Sequence, residues 1–310
     1  MGIINYNSGG WIKVKQGIKF ITPPILVESV RRLRRTTAHQ KAHSGEVREV
    51  IEWEYVPEGW QAEKSDPNIK GWSVDSILEA YKTNWPSFLR QLEGARPLGI
   101  SPESDIPSQA TLAAHNTMMS YAYAFAFSTR HKSSISMLDW GGGFGHYYLI
   151  SQALISDLEI DYHCKDVQVL ADHGRELFPQ AHFYADESCL DRSYDFVLAS
   201  SSLHYSPDWL AMLGALARAT AEHIFITRLP IVQEADSYVF VQRPYRYGYD
   251  TEYLGWCLNR KQFLDGAQAA GLALVREFII GEQPIIHGAP GPCEYRGFLF
   301  RQTGSDRKSR

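Results

Sequence analysis

Short apolar runs recur at residues 135–139, 181–185, 194–199 and 223–227, and the segments between them carry apolar side chains at helical spacing. Strands alternating with helices predict an α/β fold, a parallel sheet wrapped on both faces. The run at 160–166 fits least well, because Ile160, Tyr162 and Cys164 alternate with Asp161, His163 and Lys165 where an inner parallel strand should be apolar throughout. Its position makes it the second strand. Ser206, Pro207 and Asp208 offer an N-cap, a first-turn proline and an acid ahead of a helix carrying Trp209, Leu210, Leu213 and Leu216. Ser108 is a matching N-cap for a helix with Leu112, Met119, Ala122 and Phe125 on its apolar face.

Beyond the fifth strand the rhythm gives way to a tyrosine-rich stretch at 230–259, then a helix at 261–270 and two closing runs at 272–280 and 295–300. The second follows a Gly/Pro-rich loop and predicts a hairpin. Upstream, Pro23 and Pro24 precede a short helical pattern with Leu26, Val30 and Leu33 on one side and Arg31, Arg32, Arg34 and Arg35 as a basic face. That face suits solvent or a weak peripheral membrane contact. A polar linker at 36–45, an aromatic stretch at 53–60 with Trp72, and a helical pattern at 74–92 that Pro86 should interrupt complete this segment. The expected organisation is a mainly helical cap or anchor at 1–107, a catalytic domain at 108–302 and a mobile basic tail at 303–310.

Composition narrows the function. With 44% hydrophobic and 21% charged residues, the 310-residue chain is an ordinary globular protein with room for a sizeable core. A net charge of −4 lacks the basic field of a dedicated nucleic-acid binder, so no nucleic-acid partner is expected. Four scattered cysteines with no Cys-x-x-Cys pair indicate neither a zinc site nor a disulfide framework, and a reducing, cytoplasmic setting is the simplest expectation. Neither a secretory leader nor an apolar stretch of membrane-spanning length is visible.

The strongest chemical signal is Asp139-Trp140-Gly141-Gly142-Gly143-Phe144-Gly145, directly after a strand and opening a helix. Glycines are needed where backbone must turn sharply and approach a ligand with no side chain between. A dinucleotide loop, G-x-G-x-x-G, would place its third glycine where His146 stands. That departure disfavours the rival reading of an NAD(P)-dependent oxidoreductase. A second acid is wanted at the end of the next strand to accept both ribose hydroxyls, and Asp166 lies about twenty residues beyond the last glycine.

The loop resembles motif I of the class I S-adenosylmethionine-dependent methyltransferases. The resemblance implies a Rossmann-like sheet of seven strands, one antiparallel, with S-adenosyl-L-methionine as cofactor. It further implies that Asp139 helps hold the methionine amino group and that Gly141, Gly143 and Gly145 pass beneath the ligand. By the same resemblance Asp166 takes the ribose, Val167 lies against the adenine, and Asp186 sits where the adenine edge is read, with Glu187 and a plain helix cap as competing assignments. Stretches at 25–35, 71–81, 138–148, 162–178 and 199–205 also resemble a bacterial subgroup of methyltransferases associated with surface-polysaccharide or small-molecule biosynthesis. Lys165 in place of an apolar residue and Asp166 in place of the usual glutamate depart from that pattern.

The fourth strand runs into Ser200-Ser201-Ser202-Leu203-His204-Tyr205, at the carboxyl end where ligands meet a parallel sheet. The Asn- or Asp-Pro-Pro-Tyr pattern of amino-methylating nucleic-acid enzymes is missing there, and the single Pro-Cys pair, Pro292-Cys293, falls between the closing runs. No acid follows Asp195 for several residues, so metal-independent chemistry and no metal site are expected. His204 is the candidate general base, in competition with simple packing in the turn; Tyr205, Arg228 and His146 rank behind it. The aromatics Tyr238, Phe240, Tyr245, Tyr247, Tyr249, Tyr253 and Trp256, with Arg243 and Arg246, stand where a substrate cover is expected or form a self-packed insertion. The combined expectation is O-methylation of a small or carbohydrate-like acceptor. A peripheral scaffold that kept the fold without turnover is the non-enzymatic alternative.

Overall fold

The apolar runs become the centre of a mixed sheet in the computed structural model, which describes residues 50–64, 66–98 and 111–304. The basic pattern at 25–35, the linker at 36–45, Ser108 and most of the predicted tail lie outside the described residues. The strands are β1 (Trp53–Tyr55), β2 (Ser134–Trp140), β3 (Glu159–Lys165), β4 (His182–Tyr184), β5 (Tyr194–Ser200), β6 (Thr220–Val232), β7 (Tyr238–Gln242), β8 (Tyr253–Asn259), β9 (Leu272–Ile279) and β10 (Glu294–Gln302). Helices α1 (Asp75–Glu93), α2 (Leu112–Thr129), α3 (His146–Leu154), α4 (Gln168–Leu177), α5 (Trp209–Ala219) and α6 (Arg260–Ala269) fill the connections.

Seven strands follow the order β4-β3-β2-β5-β6-β10-β9, in which β10 alone runs against its neighbours. Among the described residues the whole sheet has ten strands, however, not the expected seven. β6 runs for 13 residues, long enough to pair with β5 at its start and, through Ile231 and Val232, with β8 at its end. β8, β7 and β1 continue from there as an antiparallel flap. The tyrosine-rich stretch therefore supplies two strands and the presumed cap a third. Every residue of β7 is buried, so it shows none of the alternation that marks a strand with one wet face.

The described residues from Ile51 onward cluster as one compact unit, and the expected boundary at 107/108 lies outside the described residues. The described part of the expected cap holds one long helix, α1, with a 3-10 turn at Gly59–Lys64 and the short strand β1 before it. α1 continues through Pro86 without interruption. The proline is on the solvent side, and exposed Lys82, whose carbonyl loses its partner, leaves that oxygen to water. α2 is capped by Thr111, whose hydroxyl accepts from Ala114 N–H at 3.1 Å. Its buried face is Met118, Tyr121 and Phe125, whereas Leu112 and Met119 are 71% and 47% exposed. For α5 the cap is Asp208, accepting from Ala211 N–H at 2.9 Å, with Pro207 just before it.

Apolar layers cover both sheet faces: Leu213, Leu216, Phe263 and Phe298 on one side, and Tyr121, Phe125, Ile150 and Phe225 on the other. Among the described residues no helix is long and apolar enough to cross a membrane.

Candidate functional site

A cavity of about 640 Å³ opens where β2, β3, β5 and β6 end, within the ~300–1,000 Å³ of small-molecule clefts. The glycine loop forms its floor. Gly141 and Gly143 have φ of +77° and +59°, in the left-handed region that side chains resist. A Cβ at Gly141 would meet Ser202 Cβ at 2.5 Å, and one at Gly143 would meet Tyr81 Cε1 at 2.8 Å. The loop is thus clamped between two walls, and Ser202 Oγ donates to Trp140 O at 2.6 Å.

Asp166 lines the cavity at the end of β3. Gly143 N–H donates to its Oδ2 and Val167 N–H to its Oδ1, both at 2.7 Å. Burial pushes the carboxyl up from its ordinary range, and the two amides oppose that rise. The carboxylate therefore ties the glycine loop to β3 and keeps its remaining lone pairs for a ligand. Val167 and Leu170 continue this wall, with Glu187 beyond β4.

Asp139 and Gly145 do not line the cavity. Asp139 is fully buried below the loop, where a Cβ at Gly142 would come within 2.5 Å of its Cγ. Tyr162 Oη donates to Asp139 Oδ2 at 2.6 Å, and Oδ1 has no hydrogen-bond partner among the described residues. Burial raises its carboxyl to about 7. Gly145, with φ +90°, turns the chain into α3 against Phe183 and Phe178. Asp186 takes the competing role of a cap: its Oδ1 accepts from Ser188 N–H at 3.0 Å and from Ser188 Oγ, and these bonds hold its carboxyl below the usual range. Its neighbour Glu187 is the acid that faces the cavity.

His204 also lies outside the cavity lining. The ring is fully buried beside Tyr205, Phe240 and Tyr295, with neither nitrogen bonded among the described residues. Burial, seconded by the Arg228 charge, lowers its pKa to about 3. Burial keeps the ring neutral at ordinary pH, and it does not line the cavity. His146 does line the cavity, yet its ring packs 4.8 Å from Phe88 and 4.9 Å from Trp85, and burial lowers it to about 3 as well.

The opposite wall comes from Met118, Tyr147, Ser200, Tyr205 and Arg228. Tyr147 Oη and Ser200 Oγ are 2.9 Å apart. Among the described residues three other than glycine have positive φ, and two of them, Ser201 (+53°) and Arg228 (+48°), are here. Such strain persists where the surroundings over-determine it, as at ligand sites. Arg228 lies 3.6 Å from Glu282 Oε2 with its guanidinium 5.8 Å from the Tyr295 ring centre.

None of the residues 230–259 lines the cavity, which fits the self-packed insertion and not the substrate cover. Arg243 holds Glu54, Glu252 and the Ile51 carbonyl, and Arg246 pairs with Glu52. Tyr253 instead stacks at 4.4 Å on Trp72, and it is Trp72 and Tyr81, from the presumed cap, that reach the cavity. Trp72 and Tyr81 sit far upstream of the glycine loop and carry no local mark of a site, whereas Tyr147, two residues past Gly145, and Ser200, at the end of β5, lie in stretches that the sequence does mark.

No protein-family model and no curated protein matches the sequence. Among solved structures, a protein from Galdieria sulphuraria, described provisionally as a sarcosine dimethylglycine methyltransferase, is 17% identical, with 74% of this chain and 99% of that one covered at a TM-score of 0.48. The N-terminal domain of EvdMO1 with SAH bound is 15% identical, covering 71% of this chain and 97% of its own at a TM-score of 0.43. Magnesium protoporphyrin IX methyltransferase (ChlM) from Synechocystis PCC 6803, also with bound SAH, is 10% identical over 74% and 100% of the two chains at 0.43. Likenesses at these scores and identities carry no argument about the chemistry of this chain, which has to come from the cavity.

Proposed function

We propose that the cavity binds S-adenosylmethionine and places its methyl group against an oxygen of a small or carbohydrate-like acceptor. The observation that carries this is Asp166, a carboxylate on the cavity wall whose two oxygens are aimed by the amides of Gly143 and Val167. That is the acceptor set a ribose diol needs, one strand away from a side-chain-free loop. Val167 and Leu170 offer an apolar face to the adenine, Glu187 an acceptor for its amino edge, and Gly141 to Gly143 the passage for the methionine chain. His146, packed against Trp85 and Phe88 at the third-glycine position, leaves no comparable fit for a dinucleotide pyrophosphate.

When bound, the cofactor supplies a sulfonium methyl that is already strongly electrophilic. The chain then has to align an acceptor hydroxyl so that an O–CH3 bond forms as the S–CH3 bond breaks, with the hydroxyl proton passing to solvent, and alignment alone contributes much of the rate. Tyr147 Oη and Ser200 Oγ are the hydroxyl pair that orients the acceptor oxygen, and Arg228 anchors a negatively charged group on the same molecule. Asp139 supports the loop from below.

Calorimetry with S-adenosylmethionine, S-adenosylhomocysteine and NAD tests the reading. The two adenosyl sulfur compounds should bind one per chain at micromolar concentrations and NAD should give no heat. Binding of NAD alone would replace methyl transfer by hydride chemistry, and no binding of any of the three would refute the cofactor assignment.

A further inference from the structure

We propose that Asp161, His163 and His182 form a site for one borderline divalent cation, zinc being the best fit, at the outer edge of the sheet and apart from the cavity. The inference does not depend on the methyl-transfer reading, since none of the three residues lines the cavity. Asp161 Oδ1 lies 3.0 Å from His163 Nε2 and 3.7 Å from His182 Nε2, and the donor atoms of all three fall within 4.8 Å of one another. Ligands about 2.0–2.2 Å from one zinc stand roughly 3–4 Å apart, so a small swing of His182 lets one ion take all three.

The backbone fixes this meeting. Asp161 and His163 are two apart on β3 and share a sheet face. His163 is also the register partner of His182 on β4, and the two rings stack at 4.5 Å. This explains the polar alternation that made β3 look unlike an inner strand: its next neighbour is the short edge strand β4, and the polar face carries the cluster. His163 is the rigid member, with no exposed surface, and its Nδ1 is 2.9 Å from Tyr184 Oη. That contact fixes the ring so that Nε2 faces Asp161, as outer partners of metal-bound imidazoles do. Asp161 and His182 are 45% and 54% exposed, which gives an ion and its waters access. Arg192 lies 3.4 Å from the other carboxylate oxygen, Asp161 Oδ2, and leaves Oδ1 to the imidazoles. Two imidazoles and one carboxylate favour zinc, nickel or copper over magnesium or calcium.

The consequence is structural. β4 has three residues, and its Tyr184 carbonyl accepts from Asp166 N–H at 3.1 Å. An ion clamping His182 to β3 would steady that strand and, through it, the wall bearing Asp166.

The test titrates zinc chloride into chelator-stripped, untagged full-length chain by calorimetry, alongside the variants His182→Ala and Asp161→Asn. Both altered side chains are largely exposed, so circular dichroism and melting temperature without metal should match the parent. The expected result is one zinc per chain at micromolar or lower Kd, a melting temperature raised by zinc and not by magnesium, and at least tenfold weaker binding in each variant. No binding by the parent, binding unchanged in both variants, or equal binding of magnesium would overturn the proposal.

Discussion

The two walls of the cavity are made differently. On the β2–β3 side the site is backbone held by one acid: three glycines in a turn, two amides on Asp166, and Tyr81 and Ser202 pressing from outside. On the β5–β6 side it is side chains from distant parts of the chain, Met118, Tyr147, Ser200 and Arg228, two of whose neighbouring backbone positions are strained. The first wall is shaped for a constant ligand, the second for whichever acceptor this chain serves. Substitutions on the first should damage cofactor binding, and substitutions on the second should leave it intact.

The largest effect is expected for Asp166→Ala. Hydrogen bonds to a charged group are each worth about 1.5–3 kcal/mol, so S-adenosylhomocysteine affinity should fall by ~10–100-fold, and the loop loses its tie through Gly143 N–H. Titration of the folded variant checks this; an unchanged Kd would place the ribose elsewhere. Gly143→Val should come next. The left-handed backbone costs about 1–2 kcal/mol with a side chain, and the added carbons strike the Tyr81 ring rather than the ligand directly. A lowered melting temperature and roughly tenfold weaker binding are expected, with Tyr81→Leu in the same chain restoring part of both.

Arg228→Gln probes the other wall. KM for an anionic acceptor should rise about tenfold while S-adenosylhomocysteine affinity stays within twofold, because removing one charged hydrogen bond costs on that order. Parallel loss of cofactor affinity would erase the distinction between the walls. The smallest effect belongs to His204→Leu. A buried ring with two unpaired nitrogens can be replaced by an apolar group at little cost, so kcat should stay within about threefold and the acidic limb of the pH profile should persist. Stability should change with pH in a defined direction. The folded-state pKa of about 3 lies below the unfolded value near 6.5, so the unfolded chain takes up the proton first and stability falls as pH drops from about 6.5 towards 3. Melting curves of the leucine variant should show a shallower acid decline, and an identical slope would mean that the ring is not buried as a neutral group.

The same contrast explains what could be read from the chain beforehand. A turn that needs glycine at alternate positions, and an acid one strand later, are local demands, so Gly141, Gly143 and Asp166 stand out in a single sequence, whereas Val167 followed only from the family resemblance. Local spacing does not say which way a side chain points, and Asp139 and His204, both in legible stretches, turn into the protein. Asp186 and Glu187 are adjacent, and only the cap bond to Ser188 separates their roles. β7 lacked a pattern because both its faces are covered, and α2, with apolar residues all round, gave a face that the sheet did not choose. Trp72 and Tyr81 come to the cavity only because β1 pairs with β7 and α1 packs across the loop, pairings that leave no short-range mark.

The most direct measurement is a crystal structure of the full chain with S-adenosylhomocysteine. The account predicts Asp166 carboxylate oxygens within hydrogen-bond distance of both ribose hydroxyls, adenine between Val167 and Leu170, and the sulfur facing Tyr147 and Ser200. A nucleoside lying away from Asp166, or a sulfur turned from the β5–β6 wall, would contradict it.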